Sequence, residues 1–318
     1  MKKHTIRILG GLVVSFALVF ALTGCDAKTK ETKAPAQEQT TTASQPNRAD
    51  LLVTADELAA NPDNYFVIDS RDAKAYAAGH IPGAINLPWQ PLTSAAKGAA
   101  GDPDWATLLQ PAEMAKVLGA AGVDTSKTIV LYADPTGWGE DGRVMWSLAS
   151  VGITDTRLLD GGYPYYAAAG NTVTKEATKV AATTVEVSDQ LDVDLNVTTD
   201  YINKNLGKLL IIDVRNKKEY DGATDFGEKR GGHLPGAKNV EFPTFFKEDG
   251  TLKDAAELDK MFADAGAQKD VEFVNYCTKG IRSGYATMVA RWLGYKEAKN
   301  YDASFYAWAG DAALKLEK

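Results

Sequence analysis

The chain repeats itself. With an offset of 144, Val53-Thr54 pairs with Val197-Thr198, "FVIDSR" (66–71) with "LIIDVR" (210–215), and Tyr132 of "TIVLY" with Tyr276 of "EFVNY". Between those anchors, "GHIPGAIN" (79–86) meets "GHLPGAKN" (232–239) at an offset of 153, so the second copy has nine extra residues before this motif and nine fewer after it. Past the Tyr pair, Gly152 and Asp160 match Gly294 and Asp302 at an offset of 142. A chain of 318 residues with this self-similarity is two copies of one domain, and each copy must close its core with the same order of elements.

Within each copy, short apolar runs alternate with helical spacing. Thr54 with Glu57 reads as a capping box opening a helix that Pro62 closes, and "YFVID" follows as a buried strand. "SRDAKAYAAG" predicts a short helix ending at Gly79, "IPGAINLP" a turn into a strand, and "PAEMAKVLGAAG" a helix with Pro111 in its first turn. "TIVLY" reads as a strand, "RVMWSLASVG" as a helix stopped by Gly152, and "DTRLLDGG" as a strand and turn. This alternation predicts an α/β fold: two tandem domains, each a mostly parallel sheet flanked by helices. In such open sheets, ligands sit at the carboxyl ends of the strands.

The first fifty residues stand apart. Lys2, Lys3 and Arg7 precede an uncharged, mostly apolar stretch from Ile8 to Leu22, too short for a comfortable membrane span, so residues 1–24 read as a signal peptide. Leu22-Thr23-Gly24-Cys25 resembles the bacterial lipobox, which makes Cys25 the expected lipidation site and the mature N-terminus. The polar residues 25–49 read as a flexible tether, followed by one domain over 50–180 and another over 190–318. The expected location is the cell envelope, lipid-anchored to a bacterial membrane with the domains facing the periplasm or exterior. A net charge of -7 with no basic stripe argues against nucleic acid as a partner.

The internal copy serves as a control. Features present in both halves serve the fold, and features in one half are candidates for chemistry. His80 and His233 both occupy the GHxPGA motif although the first half has no cysteine nearby, so both read as structural, with general-base work by His233 as the lesser alternative. Asp69, Arg71, Asp213 and Arg215 repeat as well and are expected to form internal ion pairs or caps. One Cys and one His in the second half cannot make a three-ligand zinc site, and neither a metal nor another cofactor is expected.

One thiol remains. Cys277 directly follows the second strand-plus-Tyr motif, in "YCTKGIRSG", and a helical pattern begins beyond it with Tyr285, Met288, Val289, Trp292 and Leu293. Gly280 lets so short a loop curl, and its N–H groups then converge with the free N–H groups of the helix start into an anion cradle. In such a cradle, with Lys279 and Arg282 beside it, a thiol can fall from about 8.5 to around 3.5–7.5 without any histidine. The alternative is an inert buried cysteine beside a solvated helix start. In the first half, "YADPTGWGEDGRVMW" has Ala133 in place of the thiol, with Asp134, Glu140 and Asp141 around it, and reads as a scaffold or lid.

Two copies of "(V/I)IDxR … GH(I/L)PGAxN … Y", CxxGxR after the second Tyr, and "YDASFYAW" (301–308) resemble the tandem-domain rhodanese sulfurtransferases over roughly residues 50 to 316. In that family, the first domain has lost its cysteine and commonly shows an Asp near that position. The second domain carries sulfane sulfur as a persulfide on a loop cysteine. The resemblance implies Cys277 as nucleophile and Thr278, Lys279, Gly280, Ile281 and Arg282 as the substrate-binding loop. It also implies a small anionic sulfur donor and a thiol, cyanide or protein acceptor. Related phosphatases use a seven-residue CxxxxxR loop, whereas Cys277 to Arg282 spans six, which favours sulfur over phosphoryl or arsenate chemistry.

Three departures bear on the donor. Arg282 stands where two-domain thiosulfate enzymes usually show a small Thr-like residue, Lys279 does not fit the uncharged loop of mercaptopyruvate-type enzymes, and Glu219 stands where an arginine often helps bind the donor. Lys217, Lys218 or Arg230 are the expected substitutes for that arginine. Thiosulfate leads as donor, with polysulfide close behind. The alternative function is a membrane-tethered carrier that hands persulfide to a partner enzyme. A purely structural module would more naturally have lost both cysteines.

Overall fold

The computed structural model describes residues 46–99, 102 and 105–318. The expected leader, the lipidation residue Cys25 and the tether up to residue 45 lie outside the described residues. The first copy runs β1 (Leu52–Val53), α1 (Ala55–Ala60), β2 (Tyr65–Asp69), α2 (Ala73–Ala78), β3 (Ile85–Asn86), α3 (Pro111–Ala120), β4 (Thr128–Tyr132), α4 (Glu140–Ala149), β5 (Thr156–Leu159) and α5 (Gly162–Ala168). The second runs β6 (Asn196–Val197), α6 (Thr199–Asn205), β7 (Leu210–Asp213), α7 (Lys217–Tyr220), β8 (Lys238–Asn239), α8 (Ala255–Asp264), β9 (Phe273–Tyr276), α9 (Ile281–Trp292), β10 (Ala298–Tyr301) and α10 (Ser304–Gly310).

Each copy forms its own five-stranded sheet, in the order β1-β5-β4-β2-β3 and β6-β10-β9-β7-β8, with parallel pairing throughout. The expected α/β fold with two parallel sheets is present. The central strands β4 and β9 are apolar at nearly every position because helices cover both faces. Each ends in a buried tyrosine that leads into a loop and then the helix α4 or α9. Register sets Asp213 beside Tyr276, next door to Cys277, as it sets Asp69 beside Tyr132.

The repeated polar residues form the same lattice twice. Arg71 pairs with Asp69 and Arg215 with Asp213, each at 2.6 Å, and each arginine also donates to a carbonyl before the histidine, Gly79 at 2.7 Å and Gly232 at 2.8 Å. Each tyrosine hydroxyl accepts the N–H of the residue after the histidine, Ile81 or Leu234, at 3.1 Å. His80 stacks on Tyr76 and bonds its carbonyl at 2.9 Å, and His233 does the same with Tyr220 at 3.0 Å. These groups tie the loops to the strand ends and leave no ring nitrogen at the thiol.

The two copies pack through α4 and α9. Gly142 lets them close: a Cβ there would stand 2.2 Å from Tyr285, and Gly284 occupies the corresponding place on α9, against Arg143 and Trp146. The two extra helices, α5 and α10, follow β5 and β10 where sequence reading stopped at a turn. Gly161 and Gly162, both in the left-handed region, hid the start of α5 behind a turn signal. Two residues ahead of the expected domain start also touch the copies. Arg48 pairs with Asp160 at 2.8 Å and donates to the carbonyl of Leu252 at 2.7 Å, and Trp292 donates to the carbonyl of Asn47 at 2.9 Å. Arg48 thus bonds groups of both copies, and Asn47 a group of the second.

Candidate active site

Cys277 sits at the carboxyl end of the central strand β9, 2 % exposed, with Thr278-Lys279-Gly280 bridging to α9. Gly280 is the residue before the helix and has φ 80°, as a three-residue connection requires. No side chain could replace it, since a Cβ would stand 2.6 Å from the carbonyl of Asp302. The loop is held from beneath by α10. Ser304, at φ 57°, accepts the Cys277 N–H at 2.9 Å and donates to its carbonyl at 3.0 Å, while Phe305 and Tyr306 donate to the carbonyls of Cys277 and Thr278 at 3.1 Å. A left-handed serine is uncommon, and these bonds are what hold it there.

The first copy holds the loop from the other side. Arg143, fully buried on α4, pairs with Asp302 at 2.6 Å and donates to the carbonyl of Gly280 at 3.0 Å. Burying this charge pair is tolerable because the carbonyls of Gly280 and Ala106 accept from the guanidinium and the Leu108 N–H donates to Asp302, although the Arg143 Nε keeps no hydrogen-bond partner in the protein.

Arg282 lines the cleft with its charge already paired. Its guanidinium grips Glu219 with two bonds of 2.7 Å and Thr278 Oγ1 at 2.8 Å, and Thr278 donates to the same carboxylate at 2.8 Å. Glu219, flagged in sequence as a departure, is the counter-ion of Arg282, and Arg282 holds it below the ordinary carboxylate range despite burial. The expected substitutes lie elsewhere. Lys217 and Lys218 pair with Asp221 and Asp225 on the surface, and Arg230 is taken up by the carbonyls of Trp308, Ala309, Asp311 and Leu314.

The thiol feels these neighbours. Burial raises its pKa, but the charge of Arg282, the N–H and hydroxyl of Ser283 and the N–H of Lys279 outweigh burial, and Cys277 lies below the ordinary thiol value. Ser283 reaches Sγ at 3.6 Å. No histidine is among the groups that shift it; the guanidinium, the two N–H groups and the Ser283 hydroxyl favour its charged form.

Lys279 points into a box of aromatic rings. Its Nζ lies 3.9 Å from the Trp105 centroid, 5.2 Å from Trp89 and 5.7 Å from Tyr306. Two of these rings come from the first copy, and Trp105 is itself fixed by an indole bond to the carbonyl of Ala95 at 2.9 Å. Burial lowers Lys279 to about 8, the thiolate acting in the opposite direction. Ring faces offset part of the lost hydration without cancelling the charge as a carboxylate would.

Cys277, Thr278, Lys279, Ile281 and Arg282 line one cleft of ≈ 560 Å³, with Ser70, Asp72, Trp89, Trp138 and Glu140 from the first copy and Phe226 and Tyr306 from the second. Gly280 belongs to its frame, through backbone contacts. Trp138 and Phe226 meet edge to face at 5.0 Å across its mouth. Sequence reasoning missed this first-copy wall, because residues spread from 70 to 140 converge only in the folded chain; the one available signal was the density of tryptophans in "LPWQP" and "TGWGED". Among the described residues, no group of three or more His, Cys, Asp or Glu could hold a metal ion.

Comparison with known proteins agrees with this geometry. The model of the rhodanese-like domain matches twice, over residues 54–169 and 198–311. The chain is 30% identical over 282 residues to a Saccharopolyspora erythraea protein named "Putative thiosulfate sulfurtransferase", covering 85% of this chain and 97% of the relative. It is 31% identical over 260 residues to the "Sulfur carrier protein TtuD" of Thermus thermophilus, covering 78% and 88% respectively. Among solved structures, the anaerobic ergothioneine biosynthesis enzyme of Chlorobium limicola shares the fold, with a TM-score of 0.75, 21% identity and coverage of 86% of this chain and 71% of that one.

Proposed function

The chain belongs to the rhodanese-like domain family, and on that premise we propose that it is a sulfurtransferase that moves sulfane sulfur through a persulfide on Cys277. The observation that carries this reading is the one thiol among the described residues, held below its ordinary pKa by Arg282, Ser283 and the Lys279 N–H, at the base of a cleft that also presents Lys279. The leading donor is thiosulfate or a similar sulfane compound. The Cys277 thiolate attacks the outer sulfur, the S–S bond breaks, its electron pair leaves with sulfite, and the outer sulfur stays on Cys277. Lys279 and the loop N–H groups face the charge that develops on the leaving group. A thiophilic acceptor then takes the sulfur and regenerates the thiolate.

The cation count bears on the donor. Glu219 neutralises Arg282, so Lys279 is the cation left to face a dianion, and polysulfides remain close competitors as donors. Similarity to a sulfur carrier supports a second reading, in which the persulfide is handed to a protein. The same proposal includes export and anchoring through a lipidated Cys25, testable by the mass of the mature N-terminal peptide.

The central experiment is intact mass after incubation with thiosulfate or polysulfide, with and without reductant. A reductant-labile gain of one sulfur, absent in Cys277→Ser, is expected; no adduct from any sulfane donor overturns the proposal. Turnover with small thiols separates the enzyme from the protein-to-protein carrier.

A further inference from the structure

The cleft is larger and more polarised than a small inorganic anion requires. Its ≈ 560 Å³ lies in the range of sites for organic ligands. The second-copy wall offers Lys279 and the loop N–H groups, with Arg282 already paired to Glu219, whereas the first-copy wall offers Asp72, Glu140 and Ser70. At the offset of 142 that aligns α4 with α9, Glu140 occupies the position of Arg282, so the charge is inverted across the repeat.

The acidic wall has capacity to spare. Asp72 caps α2 through bonds from the N–H groups of Lys74 at 2.8 Å and Ala75 at 2.9 Å, and Glu140 accepts the Trp138 N–H at 3.0 Å, but neither carboxylate meets a cationic side chain in an ion pair among the described residues. Burial, with Asp134 and Asp72 adding their charges, raises Glu140 above its ordinary range, a strain that a cation would relieve. An independent sign comes from Ser70. It is 1% exposed, lines the cleft, and its hydroxyl has no hydrogen-bond partner in the protein. Buried hydroxyls without partners are rare, and one on a cleft wall is open to a donor or acceptor arriving from the cleft. Trp89, Trp138 and Phe226 supply ring faces between the two walls.

On the persulfide reading of the site, we propose that the sulfur acceptor is a small thiol bearing a cationic amine, its ammonium group between Asp72 and Glu140 and its sulfur at Cys277. The acceptor enters as thiolate, its proton already released to solvent. The Cys277 persulfide, left as an anion by the loading step, first takes one proton from water, and the acceptor thiolate then attacks its outer sulfur. A new S–S bond forms, the Sγ–S bond breaks, and its electron pair returns to Cys277 as thiolate while the acceptor leaves as a protonated persulfide. Donor and acceptor thus use opposite walls, and the acidic wall discriminates against anionic thiols.

The test loads the chain with thiosulfate, or with polysulfide if that loads better, and removes excess donor. It then follows loss of the bound sulfur by mass on mixing with 2-aminoethanethiol, 2-mercaptoethanol or 3-mercaptopropionate at equal thiolate concentration. The amine thiol is expected to react about tenfold or more faster than the hydroxyl thiol, with the carboxylate thiol slowest, as for a charge-assisted hydrogen bond. Asp72→Asn and Glu140→Gln, which keep the capping oxygens, bring the amine-to-hydroxyl ratio toward unity. Should either variant fail to fold, the unmodified chain still decides, since the ratio must fall as salt is raised. A loaded chain with no amine preference, or with a preference insensitive to salt, overturns this inference alone; failure of every donor to load overturns the reading beneath it as well.

Discussion

Between Tyr132 and α4 the first copy runs through residues 133–139, and between Tyr276 and α9 the second runs only through 277–280. Both loops end in a left-handed glycine, Gly139 at φ 76° and Gly280 at φ 80°, so strand, glycine and helix are common property. The longer loop closes on itself: Asp134 accepts from Thr136 at 2.9 Å and 2.7 Å, and its carbonyl takes the Gly137 N–H at 2.8 Å. The shorter loop has no room for an inner turn, and the N–H groups of Lys279 and, from the first turn of α9, Ser283 reach the thiol instead. The fold is therefore indifferent to chemistry, and the loop decides it. The first copy retains a different task, since Arg143 braces Gly280 and the tryptophans box Lys279.

The strongest way to break this comparison is to move the thiol. In a Cys277→Ser background, Ala133→Cys is expected to restore no sulfur loading, because the acidic loop of the first copy offers no anion cradle; loading at residue 133 by intact mass would show that scaffold position alone suffices. Next, Arg143→Leu leaves Asp302 buried and unpaired and is expected to cost roughly 3–5 kcal/mol in denaturant unfolding. A loss confined to the first copy's own transition would show that the brace is not shared.

Two smaller effects concern charge at the site. Glu219→Gln removes the counter-ion of Arg282, so the thiol pKa is expected to fall further and the alkylation profile to move to lower pH; movement upward would show that Glu219 acts mainly through the geometry of Thr278. For an anionic donor, kcat/KM is expected to decline as pH rises through about 8, where Lys279 loses its proton. Lys279→Met removes this alkaline limb. Trp105→Leu, by reducing burial, shifts the limb upward toward the ordinary lysine value; an unmoved limb would sever the first copy from donor binding. The smallest effect is a matched pair. His80→Asn and His233→Asn each remove a buried bond and a stacked ring, at about 1–2 kcal/mol, and neither is expected to alter loading.

Much of the site was legible because it is local. The strand, thiol, glycine and helix of "FVNYCTKGIRSG" are contiguous, and backbone conformation alone turns those N–H groups inward. The histidines and Asp-Arg pairs were legible as structure because the repeat displays them twice. Glu219 was visible only as an oddity: a carboxylate 63 residues before Arg282 becomes its partner when β7 lies beside β9. The reassignment of Lys217, Lys218 and Arg230 has the same origin, since their partners are set by the surface path of the inserted stretch rather than by spacing.

By itself, the sequence determined two α/β copies, one thiol, and a six-residue loop able to hold that thiol as an anion, because turns, caps and strand patterns act over a few residues. Only the tertiary structure decided which charges remain available there. Packing of α4 on α9 through Gly142 brings the copy with Ala133 against the copy with Cys277, boxes Lys279 in aromatic rings, and sets Asp72 and Glu140 in the same cleft as Lys279 and the Arg282–Glu219 pair. Charges act through space and burial strengthens them, so their balance belongs to the folded chain and not to any stretch of it.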